Sequence, residues 1–173
     1  MCGTCSDRGL LAHPDHVTLQ IDFQHVFMLL CRASMLWAVR KRAPGLAKFA
    51  VSIYLKYSEL IVRDAAAGSP HIQSQTGLRQ GDPAGNLYLG LTLQDVLETL
   101  QELFPELRLI AYADDVYLQG SGKQVIAAHK ELVDLSSGVG LQVQPTKCAA
   151  YSTNLQLHKS SMSRLWQARR GSW

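Results

Sequence analysis

The chain lacks the features that mark secreted, membrane-spanning and disordered proteins. None of its apolar runs approaches the ~20 residues that a membrane helix needs, and the segment Met1–Arg8 has no apolar core of a secretory signal. Only four cysteines occur in 173 residues, which is too few for a disulfide framework. With 47% hydrophobic and 18% charged residues, the composition is that of a globular domain. We therefore expect a soluble intracellular protein, in the nucleus or the cytoplasm, with no membrane partner.

The four cysteines give little support to a zinc site. Cys2 and Cys5 form a C-x-x-C pair, but zinc requires two further ligands at a matching spacing. Cys31 and Cys148 stand alone and are typical of small buried hydrophobic residues. An incidental pair is therefore the favoured interpretation, although the role of Cys2 and Cys5 stays open.

The net charge is only +3, but its distribution along the chain is uneven. Residues 23–58 contain six basic side chains and no acidic one, whereas residues 59–134 contain five basic and eleven acidic side chains. Five basic residues and no acid follow Asp134. Two basic blocks around an acidic middle could form a phosphate-tracking surface around a metal centre. Solvated helix faces explain the same charges equally well.

The hydrophobic pattern predicts the element order β, α, α, ββ, α, ββ, α, β. A first strand ends near Asp22, and a first helix stops at Pro44-Gly45. The second helix shows an apolar stripe made of Leu46, Phe49, Ala50, Ile53, Tyr54 and Tyr57. A hairpin follows through Gly68-Ser69-Pro70, and the last strand spans 141–144 with a possible extension through 148–151. Strands separated by helices predict an α+β fold, with an antiparallel sheet covered by helices on one face.

Three carboxylates are the candidate chemical centre. Asp22 lies at the end of the first strand, and Asp114 and Asp115 lie in a predicted hairpin turn. Two adjacent acids repel one another, and a divalent cation such as Mg²⁺ relieves that repulsion through hard oxygen ligands. If the hairpin lies beside the first strand, the acids could hold two ions ~3.5–4 Å apart for phosphoryl transfer. The simpler alternative is that Asp-Asp only begins a turn, where aspartate is favoured.

Four segments, in order, resemble the reverse transcriptase family. Residues 111–118, Ala-Tyr-Ala-Asp-Asp-Val-Tyr-Leu, resemble its Tyr-x-Asp-Asp hairpin, and residues 21–27 resemble its first catalytic strand. Residues 79–87 look like its Gln-Gly-x-Pro loop before a long helix. Residues 140–148 are similar to its Gly-Leu…Asn-x-x-Lys-Cys segment. The style is most similar to the reverse transcriptases of non-LTR retrotransposons, and the ordered set is far more specific than one motif.

The resemblance implies a polymerase palm, of ferredoxin-like or RRM-like architecture, that adds deoxynucleotides to a DNA primer paired with an RNA template. Deoxynucleoside triphosphates would be substrates, and two Mg²⁺ or Mn²⁺ ions would be cofactors. Asp22 and Asp114 would ligate the metals, and Asp115 would be the second acid of the hairpin. The main-chain carbonyl of Phe23 could also face a metal. The remainder of a retrotransposon polyprotein would be a further partner.

The same resemblance implies a nucleotide pocket. Phe27 matches the aromatic residue that crowds the sugar 2′ position, although a core phenylalanine is the alternative. Gln80 and Gly81 match the loop against the incoming nucleotide and template, where glycine permits close backbone approach. Arg79 could contact a phosphate, although an ordinary exposed arginine is the simpler interpretation.

Two further residues receive roles through the resemblance. Lys147 matches a lysine that steadies or protonates the leaving pyrophosphate, with a plain surface lysine as an equal rival. Tyr112 would sit at the primer terminus, although half-buried strand tyrosines are common in any fold. Val26 and Met28 replace the small and polar residues usual in relatives, so a bulkier Val26 could crowd the nucleotide pocket. Ala84 stands where leucine is typical.

We expect three regions: residues 1–16 as an N-terminal lead that could be disordered, 17–152 as a partial palm domain, and 153–173 as a basic tail. Only 21 residues precede Asp22 and 22 follow Tyr151, so fingers and thumb subdomains would be missing or stunted. The sequence therefore predicts a truncated, retrotransposon-derived fragment. Polymerisation by the isolated chain would be weak or absent, since most phosphate contacts that set affinity would be lacking.

Three alternatives remain open at this point. The chain could be a non-catalytic nucleic-acid-binding remnant of a palm, held by its basic blocks. It could be another palm-shaped enzyme that condenses nucleotides, such as a nucleotidyl cyclase, although the loop from Gln80 to Pro83 has no natural place there. A small α+β protein without nucleotide chemistry would require four ordered matches by chance.

Overall fold

The computed structural model describes residues 16–61 and 71–152. The predicted tail 153–173, and all of the predicted lead except His16, lie outside these ranges. Eight strands and five helices are described. The elements are β1 (His16–Ile21), β2 (Phe23–Gln24), α1 (Val26–Leu29), α2 (Arg32–Arg42), α3 (Pro44–Tyr54), β3 (Ser58–Ile61), β4 (His71–Ser74), α4 (Gly85–Leu103), β5 (Arg108–Tyr112), β6 (Asp115–Ser121), α5 (Gly122–Gly138), β7 (Gln142–Val143) and β8 (Ala149–Ser152).

A four-stranded antiparallel sheet forms the centre of the fold, with the strand order β5-β6-β1-β8. The register of its inner pair sets Leu19 opposite Leu118, and Ile21 opposite Val116. Because side chains alternate between the two faces of a strand, all four of these residues point to the same face. Each of them is at most 1% exposed, so this face is the core face.

Helices α4 and α5 cover the core face. Apolar residues spaced three or four positions apart on each helix join one cluster with β1 and β6, as expected for amphipathic helices on a sheet. These residues are Leu89, Leu93, Val96 and Leu100 on α4, and Val125, Ala128 and Leu132 on α5. The predicted α+β class, with an antiparallel sheet and helices on one face, is confirmed.

Helices α2 and α3 meet where the sequence predicted a break. α2 ends at Arg42, and Pro44 occupies the first turn of α3, a position where the missing proline N–H is no loss. Arg42 and Lys41 join α2 to α4 through ion pairs to Asp95, and Arg42 also pairs with Glu98. The helix pair is therefore tied to the helix that covers the sheet.

The predicted apolar stripe of α3 is wrong in part. Ala50 and Tyr54 are buried, whereas Leu46 is 37% and Phe49 53% exposed, and Tyr57 lies beyond the end of the helix. Helical spacing defines a face but does not say how much of its width a neighbouring element covers. Here the neighbouring elements cover a narrower face of α3 than the apolar stripe occupies, so part of the stripe stays exposed.

The predicted hairpin is present, whereas the predicted last strand is divided into two strands. β3 and β4 pair antiparallel, which confirms the hairpin, although its connection through 68–70 lies outside the described ranges. The last strand is in fact two: β7 pairs with β2, and β8 returns to the free edge of β1. The short elements β2 and α1 are also absent from the predicted order. No helix within the described ranges has both the length and the apolar character to cross a membrane.

Candidate active site

The three candidate acids lie at the same end of the central sheet. The pairing of β1 with β6 ends at Ile21 opposite Val116, so the residues next to that pair, Asp22 and Asp115, leave it at the same end of the sheet. Asp114 immediately precedes β6, in the two-residue turn that joins it to β5. Residues more than ninety positions apart in the chain therefore share one edge.

The hairpin turn between β5 and β6 holds an unusual backbone conformation. Ala113 has φ of 54°, in the left-handed region that favours glycine. The turn leaves Asp114 exposed and Asp115 half-buried, with Tyr112 directly opposite Asp115 at 80% exposure. The turn thus presents an acid and an aromatic ring to solvent at the edge where Asp22 lies.

Lys147 also reaches this edge. Its Nζ lies 3.7 Å from Asp22 Oδ1, and the two side chains are 63% and 31% exposed. The backbone fixes the approach, because Gln144 N donates to the carbonyl of Asp22 at 2.8 Å and Lys147 N donates to Gln144 O at 3.0 Å. The lysine predicted from the fourth segment is therefore a neighbour of the aspartate predicted from the first.

Cys148, the residue after Lys147, is a buried thiol. It is 7% exposed, and its Sγ donates to Gln144 O at 3.4 Å. Burial raises the pKa of the Cys148 thiol above its ordinary value. The residue fits the predicted small hydrophobic role, and it is a neutral support for the segment that carries Lys147.

Phe27, on α1, lies against the glycine-containing loop. Leu78 N donates to the carbonyl of Phe27 at 2.6 Å, so the loop and α1 are joined directly. A Cβ placed on Gly85, the first residue of α4, would lie 3.3 Å from the Phe27 ring. The half-buried ring therefore packs where α1 meets the start of α4.

The loop itself leaves its predicted contact residues exposed. Gln80 and Gly81 are both exposed, and Gly81 has φ of 88° with nothing within 4 Å of the Cβ position. Arg79 is exposed but engaged: its guanidinium donates to Ile53 O at 3.1 Å and to Ser58 Oγ at 2.6 Å. In this conformation its donors hold the loop to α3 and β3.

Two residues near Asp22 are directed into the protein interior. Phe23 is 4% exposed, and its strand β2 pairs with β7. Val26 is 5% exposed and belongs to the hydrophobic core. The expectation that Val26 crowds a nucleotide pocket is therefore wrong, because the core accommodates its bulk.

The donor set at this edge suits a hard cation in part. Carboxylate oxygens are the ligands that Mg²⁺ prefers, and it commonly takes only one or two of them together with substrate phosphates and water. Over residues 16–61 and 71–152, no group of three or more His, Cys, Asp or Glu side chains is arranged to hold a metal ion. Within these ranges the acids form no closed protein cage, and an ion held by one or two of them would need substrate oxygens and water to complete its coordination.

Sequence reasoning missed a hydrogen-bonded group that flanks the loop. Tyr54 on α3, read only as an apolar stripe residue, donates its hydroxyl to Asp82 Oδ2 at 2.5 Å. Arg32 is 8% exposed and donates to Gly77 O and to Ser74 O at 2.8 and 2.7 Å. The burial of Arg32 becomes visible only in the structure, and nothing in the spacing around Tyr54 indicates its partner.

Comparison with known proteins shows the family of the chain. The sequence model of the family described as reverse transcriptase (RNA-dependent DNA polymerase) matches residues 15–165. The chain belongs to the reverse transcriptase family. The match spans all four resembling segments, so the acids, the loop and Lys147 all fall inside the reverse transcriptase domain. No curated protein sequence is significantly similar to the chain.

Solved structures share the fold at low sequence identity. Apo telomerase from Candida tropicalis matches with a TM-score of 0.67 and 11% identity, covering 84% of this chain and 30% of that one. Telomerase from Candida albicans, in complex with a fragment of telomeric RNA, matches with a TM-score of 0.66 and 12% identity, covering 84% and 29%. The chain thus spans about 30% of the length of these structures.

The likeness extends to a shortened form of the same enzyme. Candida tropicalis telomerase truncated from its C-terminal domain matches with a TM-score of 0.61 and 12% identity, covering 87% of this chain and 35% of that one. At such identities the likeness shows the fold alone. Reverse transcriptase domains generally use divalent metal ions, which agrees with the carboxylates at the sheet edge.

Proposed function

We propose that this reverse transcriptase domain carries a nucleotidyl-transfer site for RNA-directed DNA synthesis. A DNA primer paired with an RNA template and deoxynucleoside triphosphates would be its substrates. The β1–β6 register carries the proposal, because it supports Asp22 and the Asp114-Asp115 pair as one acidic site. The RNA template is further supported by the telomeric RNA fragment in the Candida albicans structure. The four resembling segments support an origin in a non-LTR retrotransposon, where the chain would be one part of a polyprotein.

The acids would hold two Mg²⁺ or Mn²⁺ ions. Asp22 and Asp114 are the proposed principal ligands, with Asp115 as the second acid of the hairpin and the carbonyl of Phe23 as a further oxygen. When bound, the ions would lower the pKa of the attacking hydroxyl and neutralise the departing pyrophosphate. The exposure of Asp114 supports this role, because substrate oxygens must reach the same ions.

The chain's own residues would position the reacting groups. In the transfer, a bond forms between the primer 3′ oxygen and the α-phosphorus, the bond from that phosphorus to pyrophosphate breaks, and the hydroxyl proton passes to water. Lys147 would donate a proton to the pyrophosphate or steady its charge, and its position 3.7 Å from Asp22 supports this role. Tyr112, at the exposed end of β5, would contact the primer terminus.

The nucleotide would lie on the exposed side of α1 and the loop, which contact each other directly. Phe27 would crowd the sugar 2′ position, and Gln80 and Gly81 would face the base and the template. The bond from Leu78 N to the Phe27 carbonyl supports this arrangement, because it holds the two elements side by side. Arg79 would contact a phosphate through the remaining N–H groups of its guanidinium, because Ile53 O and Ser58 Oγ both accept from the same nitrogen, Nη2.

Primer extension on an RNA template, with Mg²⁺ or Mn²⁺, tests the proposal. We expect weak extension by the 173-residue chain, and a loss on the order of a hundredfold in Asp114→Asn, because the substitution removes a charge that acts on the transition state. Asp134→Asn, an exposed acid on α5, is the matched control for net charge and should extend normally. Extension that Asp114→Asn leaves intact would end the assignment.

Metal binding can be measured without activity. Calorimetric titration with Mn²⁺ should give weaker binding in Asp22→Asn than in the parent or in Asp134→Asn. Equal binding in all three would argue against a shared metal centre. Metal-independent binding of nucleic acid, with log affinity falling linearly with log salt and no extension, would instead favour a non-catalytic remnant.

A further inference from the structure

The two ends of the Gln80-Gly81 pair are held by one side chain from outside the loop. The hydroxyl of Tyr54 donates to Asp82 Oδ2 at 2.5 Å, and the backbone N–H of Arg79 donates to the same hydroxyl at 3.2 Å. Residues 79 and 82 flank the exposed pair immediately. A single oxygen on α3 therefore closes a bridge beneath the two residues proposed to face the nucleotide.

Tyr54 is held firmly enough to act as an anchor. Its side chain is 2% exposed, and its ring packs edge-on against Tyr88 with centroids 5.9 Å apart. The guanidinium carbons of Arg32 and Arg79 lie 5.7 Å and 6.0 Å from the ring centroid. Burial, with the hydrogen bond to Asp82, raises the pKa of Tyr54 to about 12, so the hydroxyl keeps its proton for donation at any physiological pH.

Asp82 connects Tyr54 to the start of α4 through its hydrogen bonds. Its Oδ1 accepts from Ala84 N at 2.9 Å, while Oδ2 accepts from Tyr54. Its backbone carbonyl accepts from Gly85 N at 3.0 Å, and its N–H donates to Arg79 O at 3.2 Å. Each oxygen of the carboxylate thus has one hydrogen-bond donor, the tyrosine for Oδ2 and the turn that leads into the helix for Oδ1.

A neighbouring tyrosine shows that burial alone does not require such a bridge. Tyr88 is 0% exposed, yet its hydroxyl finds no hydrogen-bond partner in the part of the chain that the structure describes. The ring of Tyr88 meets that of Tyr54, so both belong to the same packed region. Tyr88 is therefore a matched control for a buried tyrosine whose role is packing.

We propose that Tyr54 is a positioning residue whose hydroxyl, bonded to Arg79 and Asp82, fixes the backbone of Gln80 and Gly81 for the incoming deoxynucleotide. This inference rests on the proposed function for its substrate, but the loop geometry stands on the contacts alone. Removing the hydroxyl leaves the ring and the core packing in place. The bridge opens, and the loop samples conformations that no longer receive the nucleotide.

Hydrogen exchange, read by mass spectrometry on peptides covering 79–85, tests the bridge directly. Tyr54→Phe should speed exchange there by about tenfold, the effect expected when one or two hydrogen bonds are lost, and Tyr88→Phe should not. Peptides from α5 should exchange alike in all variants, which separates a local effect from global destabilisation. Unchanged exchange at 79–85 in Tyr54→Phe would overturn the inference.

Two further measurements distinguish a residue that positions the loop from one that only stabilises the fold. The double variant Tyr54→Phe/Asp82→Asn should speed exchange by less than the product of the single effects, because the two side chains act on one bond. An effect equal to that product would refute the bridge.

In single-nucleotide incorporation, Tyr54→Phe should raise KM for the deoxynucleotide by about tenfold with kcat nearly unchanged. A faster-exchanging loop with unchanged KM would refute the nucleotide role. If no variant, parent included, incorporates nucleotide, the proposed function fails, and the exchange result still decides whether Tyr54 holds the loop.

Discussion

Replacing Gly77 with alanine should destabilise the fold far more than the same change at Gly81, although both glycines have positive φ. Their φ angles are 72° and 88°, in the region where an L side chain costs about 1–2 kcal/mol. Alanine also stiffens the unfolded chain, which offsets about 0.4–1 kcal/mol of that cost. Conformation alone therefore predicts a similar loss, about 1 kcal/mol, at both positions.

The space around the two glycines is entirely different. A Cβ on Gly77 would lie 2.4 Å from the carbonyl oxygen of Phe27 and 2.5 Å from that of Met28, both on the backbone of α1. A Cβ on Gly81 would meet nothing within 4 Å. Because backbone cannot rotate out of the way as a side chain can, the chain at Gly77 must move away from α1.

That movement breaks specific bonds. Arg32 Nε donates to the carbonyl of Gly77 at 2.8 Å, and the N–H of Gly77 donates to Leu30 O at 2.9 Å. A hydrogen bond from a charged group contributes about 1.5–3 kcal/mol, and leaving a buried arginine short of an acceptor adds to the loss. We therefore expect a free energy of unfolding lowered by about 3 kcal/mol or more in Gly77→Ala, against about 1 kcal/mol in Gly81→Ala.

Urea unfolding, followed by far-UV circular dichroism, measures both variants against the parent. The denaturant slope should stay unchanged in Gly81→Ala, so that the midpoint reports stability. A Gly77→Ala variant that folds only marginally, together with a well-folded Gly81→Ala variant, would agree with this prediction. Equal losses at the two sites would refute it, because the contact with α1 would then contribute nothing.

Three further changes give smaller, measurable effects. Ala113→Gly should raise the free energy of unfolding by about 0.5 kcal/mol. Glycine removes the strain of the left-handed conformation at φ 54°, but it also gives the unfolded chain more conformational entropy, which offsets part of the gain. Thermal unfolding that shows no gain in stability would contradict this prediction. Ser121→Ala should cost about 1 kcal/mol in the same assay, because Ser121 and Gln124 form a capping box at the start of α5, with Ser137→Ala as a surface control. Burial lowers the pKa of His129, so the unfolded chain takes up a proton near pH 6.5 before the folded one does. Stability should therefore be full above that pH and fall below it, and His129→Gln should flatten this profile; an unchanged profile would count against the burial effect.

The sequence could predict the sheet because its signals are local and repeated. Alternation from Val17 to Ile21, and again from Val116 to Leu118, marks two strands with a buried face, and the predicted hairpin places Asp114 at a turn. Once those strands pair, matching the buried faces fixes the register, because a slip of one residue would expose the core side chains. The placement of Asp22 and Asp115 at the same end of the sheet follows from that register.

Other features depend on partners that no local pattern names. The exposure of Phe49 reflects how narrow the neighbouring surface is, and the separate strands β7 and β8 reflect which edge each one finds. Tyr54 shows the same problem for a single atom. Its helical spacing predicts burial, which is correct, but the bond to Asp82 joins residues 28 positions apart and leaves no periodic trace.

The candidate site has two structural supports that can be separated. The acids meet through the pairing of β1 with β6, whereas Lys147 arrives through the segment after β7, which is bonded to the backbone of Asp22 by Gln144. A surface ion pair such as Lys147 with Asp22 contributes at most about 1 kcal/mol, so it does not hold that segment in place. The pairing of β7 with β2 and that of β8 with β1 flank the segment and hold it from both sides. Disrupting β7 should therefore loosen the lysine by removing one of its two supports, while the pairing of β1 with β6 stays in place because β7 takes no part in it.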